Sequence, residues 1–464
     1  MSDKSLVFAF ATVLLLVGCS TVERARKTQR DLHGRYEGEP VACATSACCG
    51  ETLGEMVSFA ISNRPSMVSA RLAVEDARLA LKEIAANAPL ASSTPWNSID
   101  ANLNGGYSAS SPHSNHLKAK TDGDWSASLS LDILIYDFGR NDANIRAQSE
   151  SVVAAELAVV DAGYSVFEEV SSAYFERIQS AALLEVALTN VQMRTEHLEL
   201  AKARLAEGEA QKLDVTRAML DLAEAKEIVV SASNDLITAN ANLASAIGLE
   251  ASLGEDLPAC REKFFRAFSP TSESSAELFE FARTNAPSMR VVRARLAAAS
   301  AAVDYAIANL KPSISASLSL NWVDPLWYWH WGVSAAQSIF TGFKKTTAVD
   351  RARVALESAA SDVDAAELEL SLSIERAVAE RDNAREAFES AQASVASALD
   401  NLETVSGQLA VGDVSRIDYT DAVASYITAL ANSEKAFCRG QIAEAKLFAL
   451  IGIEPTYGDG GSEQ

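Results

Sequence analysis

The residues of this chain that could do chemistry are few and poorly assembled. Five histidines, His33, His113, His116, His197 and His330, are scattered along it. No His-Glu-x-x-His, no phosphate-cradling glycine loop and no serine elbow is present, so hydrolytic, metal and phosphoryl chemistry all lack their residue sets. His113 and His116 share a polar stretch that reads as a solvated loop rather than a metal site. The carboxylates are better organised. Asp418 and Asp421 stand three apart soon after Gly412, which puts both on one face of a following helix, where they complement its dipole. In the corresponding place after Gly208 the chain has Asp214 and then Arg217. Beyond Cys19 the cysteines are Cys43, Cys48, Cys49, Cys260 and Cys438, without metal-ligand spacing. Cys43 with Cys48 or Cys49 could close a local disulfide loop. No cofactor and no enzymatic activity is expected, and function must lie in the elements themselves.

Those elements are duplicated. Gly208 in Leu205-Ala-Glu-Gly-Glu and Gly412 in Leu409-Ala-Val-Gly-Asp are 204 residues apart, as are Gly248 of Ile247-Gly-Leu-Glu and Gly452 of Ile451-Gly-Ile-Glu, and Ile135 and Ile339. Asn63-Arg-Pro-Ser-Met and Asn285-Ala-Pro-Ser-Met are 222 apart, so the first copy carries 18 extra residues. Most of them are expected in the loop of the first strand hairpin, about Ser110 to Asp124.

Proline is missing between Pro112 and Pro258 and again between Pro325 and Pro455, leaving nothing that forces a helix to break. Uninterrupted helices are therefore predicted over Arg140–Glu207 and Lys344–Val411, each of about 68 residues or roughly 100 Å. Leu184, Val191, Leu198 and Leu205 repeat every seven residues, and Phe388, Val395, Leu402 and Leu409 match them in the second copy. Abundant alanine and serine on other faces suit helices packed on more than one side. After each glycine turn a shorter helix returns, Lys212–Ile247 and Arg416–Ile451, and helices at 65–88 and 287–310 must stack on their far ends.

Between the helices the period changes to two. Ile99, Ala101, Leu103, Gly105 and Tyr107 alternate with polar residues, and so do Trp125, Ala127, Leu129, Leu131 and Ile133. The second copy repeats this with Ile314 to Trp322, then with Trp327, Trp329, Trp331 and Val333. Four strands in two hairpins result, with all six tryptophans in or beside them. Aromatics on strands with one apolar and one Ser/Asn face fit a transmembrane β-barrel; a soluble sheet with one buried face is the alternative. Four strands cannot close a barrel and open edges cannot sit in lipid, so a barrel demands several chains: two would supply eight strands, three would supply twelve. The net charge of −22 argues against nucleic acid or an anionic lipid surface as partner.

At the N-terminus an apolar run from Leu6 to Val17 ends in Leu16-Val17-Gly18-Cys19, which resembles a bacterial lipoprotein signal. That resemblance implies removal of residues 1–18 and acylation of Cys19, with Ser20 compatible with sorting to the outer membrane. From about Glu51 to Glu454 the chain resembles the TolC-like family of outer-membrane efflux and secretion channels. The features that carry this are the duplicated Asn-x-Pro-Ser helix start, the two strand hairpins, and the Leu-Ala-x-Gly turns followed by Asp214 and Asp418. The resemblance implies a homotrimer with a twelve-stranded barrel in outer-membrane lipid and a tube of helices across the periplasm. It also implies a periplasmic adaptor protein and an inner-membrane pump docking at the tip turns, Gly208 and Gly412. By the same resemblance Asp418 and Asp421 would line a periplasmic gate, six carboxylates in three chains that attract cations. Arg217, in the place of a matching aspartate, is expected to pair with an acid and hold the tip closed. Trp125, Trp322, Trp327, Trp329 and Trp331 would form the aromatic girdle.

The expected organisation is thus a signal peptide at 1–18, a lipid-anchored polar linker at 19–50, and a first repeat at 51–250 with its β-hairpin at 96–138. A linker at 251–275, a second repeat at 276–454 with its β-hairpin at 313–340, and a flexible tail at 455–464 follow. The fold class is mainly α with a small β part. The reading is a passive outer-membrane conduit for efflux or secretion, with substrate and pump unassigned. A lipid-anchored periplasmic coiled-coil tether without a lumen is the alternative.

Overall fold

The computed structural model describes residues 23, 25–29, 52–86, 98–110, 120–208, 211–250, 274–323, 326–411 and 414–453. Cys19, Gly412, most of the 251–275 linker and the 455–464 tail lie outside these residues, as do the cysteines other than Cys438.

Two copies of one unit follow each other. The first is α1 (Leu53–Asn63), α2 (Pro65–Ala86), β1 (Ser98–Ser110), β2 (Lys120–Tyr136), α3 (Arg140–Glu207) and α4 (Lys212–Ile247). The second is α5 (Ser275–Asn285), α6 (Pro287–Ala308), β3 (Ser313–Val323), β4 (Leu326–Ala336), α7 (Lys344–Val411) and α8 (Arg416–Ile451). The long helices α3 and α7 have 68 residues each, as the proline-free stretches require. The short helices α1 and α5 were not anticipated, although each announces itself by a capping box, Thr52 with Glu55 and Ser274 with Glu277. Ser274 therefore opens the second repeat inside what was read as linker.

The 18 extra residues are distributed. The strand hairpin 98–136 is longer than 313–336, the connection 87–97 before β1 exceeds 309–312, and the connection 337–343 before α7 exceeds 137–139. One consequence is that Ile135 lies within β2 while Ile339, its partner in sequence, has left the sheet and is 97% exposed.

The helices form a sheet-like wall. α3 packs on α2 and α4 along one flank and on α6 and α8 along the other, whereas α7 packs chiefly on α6, α8 and the short α5. The lateral order is therefore α2/α4, α3, α6/α8, α7. Close approach rests on alanine at heptad spacing. Ala218, Ala225, Ala232 and Ala239 on α4 are buried, and so are Ala422, Ala429, Ala436 and Ala443, their matches on α8. Of the leucine seam, Leu198, Leu402 and Leu409 are buried, while Leu205 is partly exposed at the end of its helix.

End-to-end stacking happens through two glycines. Gly248 closes α4 at φ +92° and Gly452 closes α8 at φ +76°, left-handed conformations that end a helix at little cost only for glycine. A Cβ on Gly248 would stand 3.3 Å from Arg64 Cα; one on Gly452 would stand 2.8 Å from Pro287 Cδ and 2.9 Å from the Asn285 carbonyl. The end of each return helix is thus pressed against the Asn-x-Pro start of the helix above it. The main core gathers at this level. Met56 and Ala60 of α1 meet Val170 and Tyr174 of α3, Leu243 and Ile247 of α4, and Phe448 of α8. Leu278 and Ala282 of α5 meet Ile374 of α7 and Ile451 of α8 in a smaller copy.

Candidate functional site

The four strands form one antiparallel sheet in the order β1-β2-β3-β4. Its register aligns the apolar set across three strands: Leu129 with Leu320 with Trp329, Leu131 with Leu318 with Trp331, and Ile133 with Ala316 with Val333. The alternate rows are polar, Ser128 with Asn321 with Tyr328 and Ser130 with Ser319 with His330. Ser319 Oγ lies 2.7 Å from His330 Nδ1 and accepts from Asn321 Nδ2 at 3.1 Å, so this polar face is internally bonded. On the apolar face Trp329, Trp331 and Val333 are 66%, 70% and 61% exposed, a surface a water-soluble sheet would bury. Trp125, Trp322 and Trp327 fall on β2, β3 and β4. Strands of 11 to 17 residues reach the length that a tilted strand needs to cross a bilayer. No described helix is long and apolar enough to do so.

At the other end of the helices lie the turns. Gly208, at φ +82°, ends α3, and its N–H donates to the carbonyls of Arg204 and Leu205. Asp214 and Asp418 occupy the same place, the third residue of the returning helix. Asp214 accepts from the backbone N–H of Gln211 at 3.1 Å, and Asp418 accepts from that of Ser415 at 3.2 Å. Both aspartates therefore cap their helices. Asp418 remains exposed while doing so. Asp421, one turn further, is exposed, and no side chain among the described residues is bonded to its carboxylate. Arg217 is exposed too, and the acidic partner expected of it is not found among the described residues.

Other residues tie the two hairpins together at this end. Arg204 Nη2 donates to the Leu409 carbonyl at 2.6 Å, joining the last turns of α3 and α7. His197, buried on α3, stacks on Tyr419 of α8 with ring centroids 5.1 Å apart. Burial, followed by the nearby Glu196 carboxylate, pushes the Tyr419 hydroxyl above its ordinary value. Met193 of α3 packs with Leu402 and Val423 of the second hairpin. Sequence reading missed all of these, because a lone arginine or histidine on a helix carries no pattern. Only the position of Tyr419, next to the capping Asp418, could have hinted at it.

A wall of long helices that carries at one end a sheet with a naked apolar face, and at the other the Gly208 turn and two helix-capping aspartates, is the architecture of an outer-membrane channel. Residues 56–249 and 278–453, one segment in each copy, match the outer membrane efflux protein family, and the chain belongs to it. The fold is shared with the Campylobacter jejuni CmeC outer membrane channel, at a TM-score of 0.75 and 17% identity over 89% of each chain. The outer membrane protein VceC of Vibrio cholerae aligns at 0.71 and 18% identity, over 86% of this chain and 96% of that one. The open state of the Neisseria gonorrhoeae MtrE outer membrane channel aligns at 0.68 and 18% identity, over 89% and 93%. No curated protein matches it in sequence. The chain is an outer-membrane channel of the efflux class, located in the bacterial outer membrane.

Proposed function

We propose that three copies of this chain close into a passive conduit from periplasm to exterior, opened at its periplasmic tip by an adaptor protein and an inner-membrane pump, and anchored through acylated Cys19. The observation that carries this reading is the unequal burial of two equal helices. α3 is covered on both flanks by α2/α4 and α6/α8, whereas α7 leaves Val354, Leu368 and Leu372 at 64%, 74% and 42% exposure. On the opposite edge, α2 and α4 leave Leu72, Leu79, Met219 and Val230 at 56% or more. Since the copies repeat one contact pattern, the flank of α7 is complementary to the α2/α4 edge of a neighbouring subunit, as α3 is to α6/α8 within the chain. β4 and β1, the two free edges of the sheet, would pair in the same operation. Three copies supply twelve strands, the number that the family resemblance implies.

Under this reading Asp421, with Asp418 beside it, lines the constriction, and the tip turns at Gly208 and Gly412 receive the adaptor. The tie from Arg204 to Leu409 and the stack of His197 on Tyr419 are contacts that tip opening must loosen. A tether needs neither the amphipathic sheet nor an open helical flank.

The repeat arithmetic gives a direct test. Adding 204 to His197 and subtracting 204 from Tyr419 yields Asn401 and Val215, which should face each other across the subunit boundary. The pair Asn401→Cys with Val215→Cys should oxidise to a covalent trimer on a denaturing gel, with neither single variant doing so. Monomers alone, in protein that single-particle images also find without a threefold lumen, would overturn the conduit.

A further inference from the structure

One charged cluster has no part in the conduit as described. Lys435, Arg439 and Lys446 stand at i, i+4 and i+11 on α8, and with Glu176 and Gln179 of α3 and Glu380 of α7 they line a cleft of about 400 Å³. Ile442 and Ala443 also line the cleft. Its size is that of a small-molecule site.

The duplication isolates what is particular about it. Glu176 and Glu380 are each other's counterparts at the 204-residue offset, so the acidic flanks belong to the common plan. The three cations do not, since the matching positions on α4 are Ser231, Asp235 and Asn242. The charge balance is local. Lys446 Nζ lies 3.7 Å from Glu380 and also faces the half-buried Glu168, so it is largely answered. Lys435 and Arg439 are exposed, and neither forms an ion pair among the described residues. Two like charges one helical turn apart repel each other and weaken the helix that carries them. Their presence on a chain of net charge −22 is a cost that helix packing does not require.

The direction of the cleft follows from helical phase. Arg439 lies 18 residues after Asp421, five turns of 3.6, so the two share a face of α8 about 27 Å apart. The residues of α8 in the cores beneath α1 and α5, Ala445, Phe448 and Ile451 among them, lie on roughly the opposite face. If Asp421 faces the lumen, so does the cleft.

We infer that this cleft is a binding site for small multivalent oxyanions, polycarboxylates or phosphates, inside the conduit and beyond its acidic tip. Arg439 supplies the planar fork that grips an oxyanion through two parallel hydrogen bonds, and Lys435 adds a point charge one turn away. The inference rests on the conduit reading for its place in the lumen, though not for the binding itself.

The test uses the full-length protein in detergent, with citrate and inorganic pyrophosphate as probes in equilibrium dialysis. Both side chains are exposed, so the Lys435→Gln/Arg439→Gln variant should keep the helical circular-dichroism signal and melting temperature of the parent. Saturable binding is expected, weakened at least tenfold in that variant and strengthened by Glu176→Gln, which removes an opposing charge. Whichever probe binds more tightly assigns carboxylate or phosphate chemistry. Absence of saturable binding, or binding that the double variant retains, would overturn the proposal. The location is read separately: citrate should block current through the reconstituted protein, and the double variant should escape the block. Citrate that binds to a protein with no lumen would leave the cleft standing and sink the conduit. Current that citrate does not reduce would overturn the lumenal placement.

Discussion

α3 and α7 have the same length and matching heptad seams, yet among the described residues α3 buries seventeen and α7 seven. The difference comes from position in the wall and says nothing about helical propensity. α3 sits between two layers of its own chain, whereas α7 leaves Val354, Leu368 and Leu372 exposed, and in the proposed assembly a neighbouring subunit would cover them. A second difference lies inside the hairpins. The first has a polar seam of Asn190, Arg194 and His197, all buried, with Asp221 opposite. The second has Ser394, Ala398, Asn401 and Ser425 at the matching positions. Arg194 is the costly member: Asp221 Oδ2 is 3.8 Å from its Nη1, which makes no hydrogen bond. Duplication thus preserved the frame, while the charged contents of the two hairpins diverged.

The largest effect should come from breaking the stacked ends unequally. Gly452→Ala combines a left-handed backbone with a contact at 2.8 Å, and should cost roughly 2–4 kcal/mol. Gly248→Ala, whose tightest contact is 3.3 Å, should cost about 1–2 kcal/mol. Thermal melts followed by circular dichroism would measure both, and an equal or reversed ranking would refute this account of the two junctions.

Next comes the polar seam. Asp221→Ala leaves Arg194 buried without its carboxylate and should destabilise by about 2–3 kcal/mol. Converting the pair to what the second hairpin carries, Arg194→Ala with Asp221→Ser, should cost under about 1 kcal/mol, because no buried charge is left alone. A double variant worse than the single one would mean that the ion pair itself holds the first hairpin together.

The tips differ by one charge that can be exchanged. Asp421→Asn should lower the cation preference of the reconstituted channel several-fold, and adding Asp418→Asn should lower it further, as read from reversal potentials in a salt gradient. Arg217→Asp, which gives the first hairpin the charge of the second, should raise it. Unchanged selectivity in the double asparagine variant would remove the aspartates from the gate.

The smallest effect concerns pH. Burial raises the carboxyl of Glu168 above its ordinary value, with Lys446 opposing. A carboxyl raised in the folded state binds its proton more tightly there than in the unfolded chain. Its ionised form therefore costs stability at neutral pH, and the cost fades as pH falls through the raised value. Glu168→Gln should raise the melting temperature slightly at pH 7 and leave it unchanged below the ordinary glutamate value of 4.5. A gain that persisted in acid would point to packing.

Much of this fold was legible in the chain because it depends on local rules. The proline-free stretches became α3 and α7 with the expected ends, and the alternation at Ile314 to Trp322 and Trp327 to Val333 became β3 and β4. The short helices α1 and α5 were missed although their capping boxes are written in the sequence, because each is only 11 residues long and lies beside a polar segment. Asp418 was legible as a residue of interest, but its cap to Ser415 is a matter of side-chain geometry. Arg204, His197 and the cleft on α8 could not have been found, since each is defined by residues about 200 positions or more apart.

By itself the sequence determined lengths, breaks, periods and the fact of duplication, because these follow from hydrogen bonding and side-chain direction within a few residues. Lateral order was left to the tertiary structure. Which flank of an alanine-rich helix is covered, and by which neighbour, depends on how whole helices fit ridge to groove, and the matching seams on α3 and α7 carry no record of it.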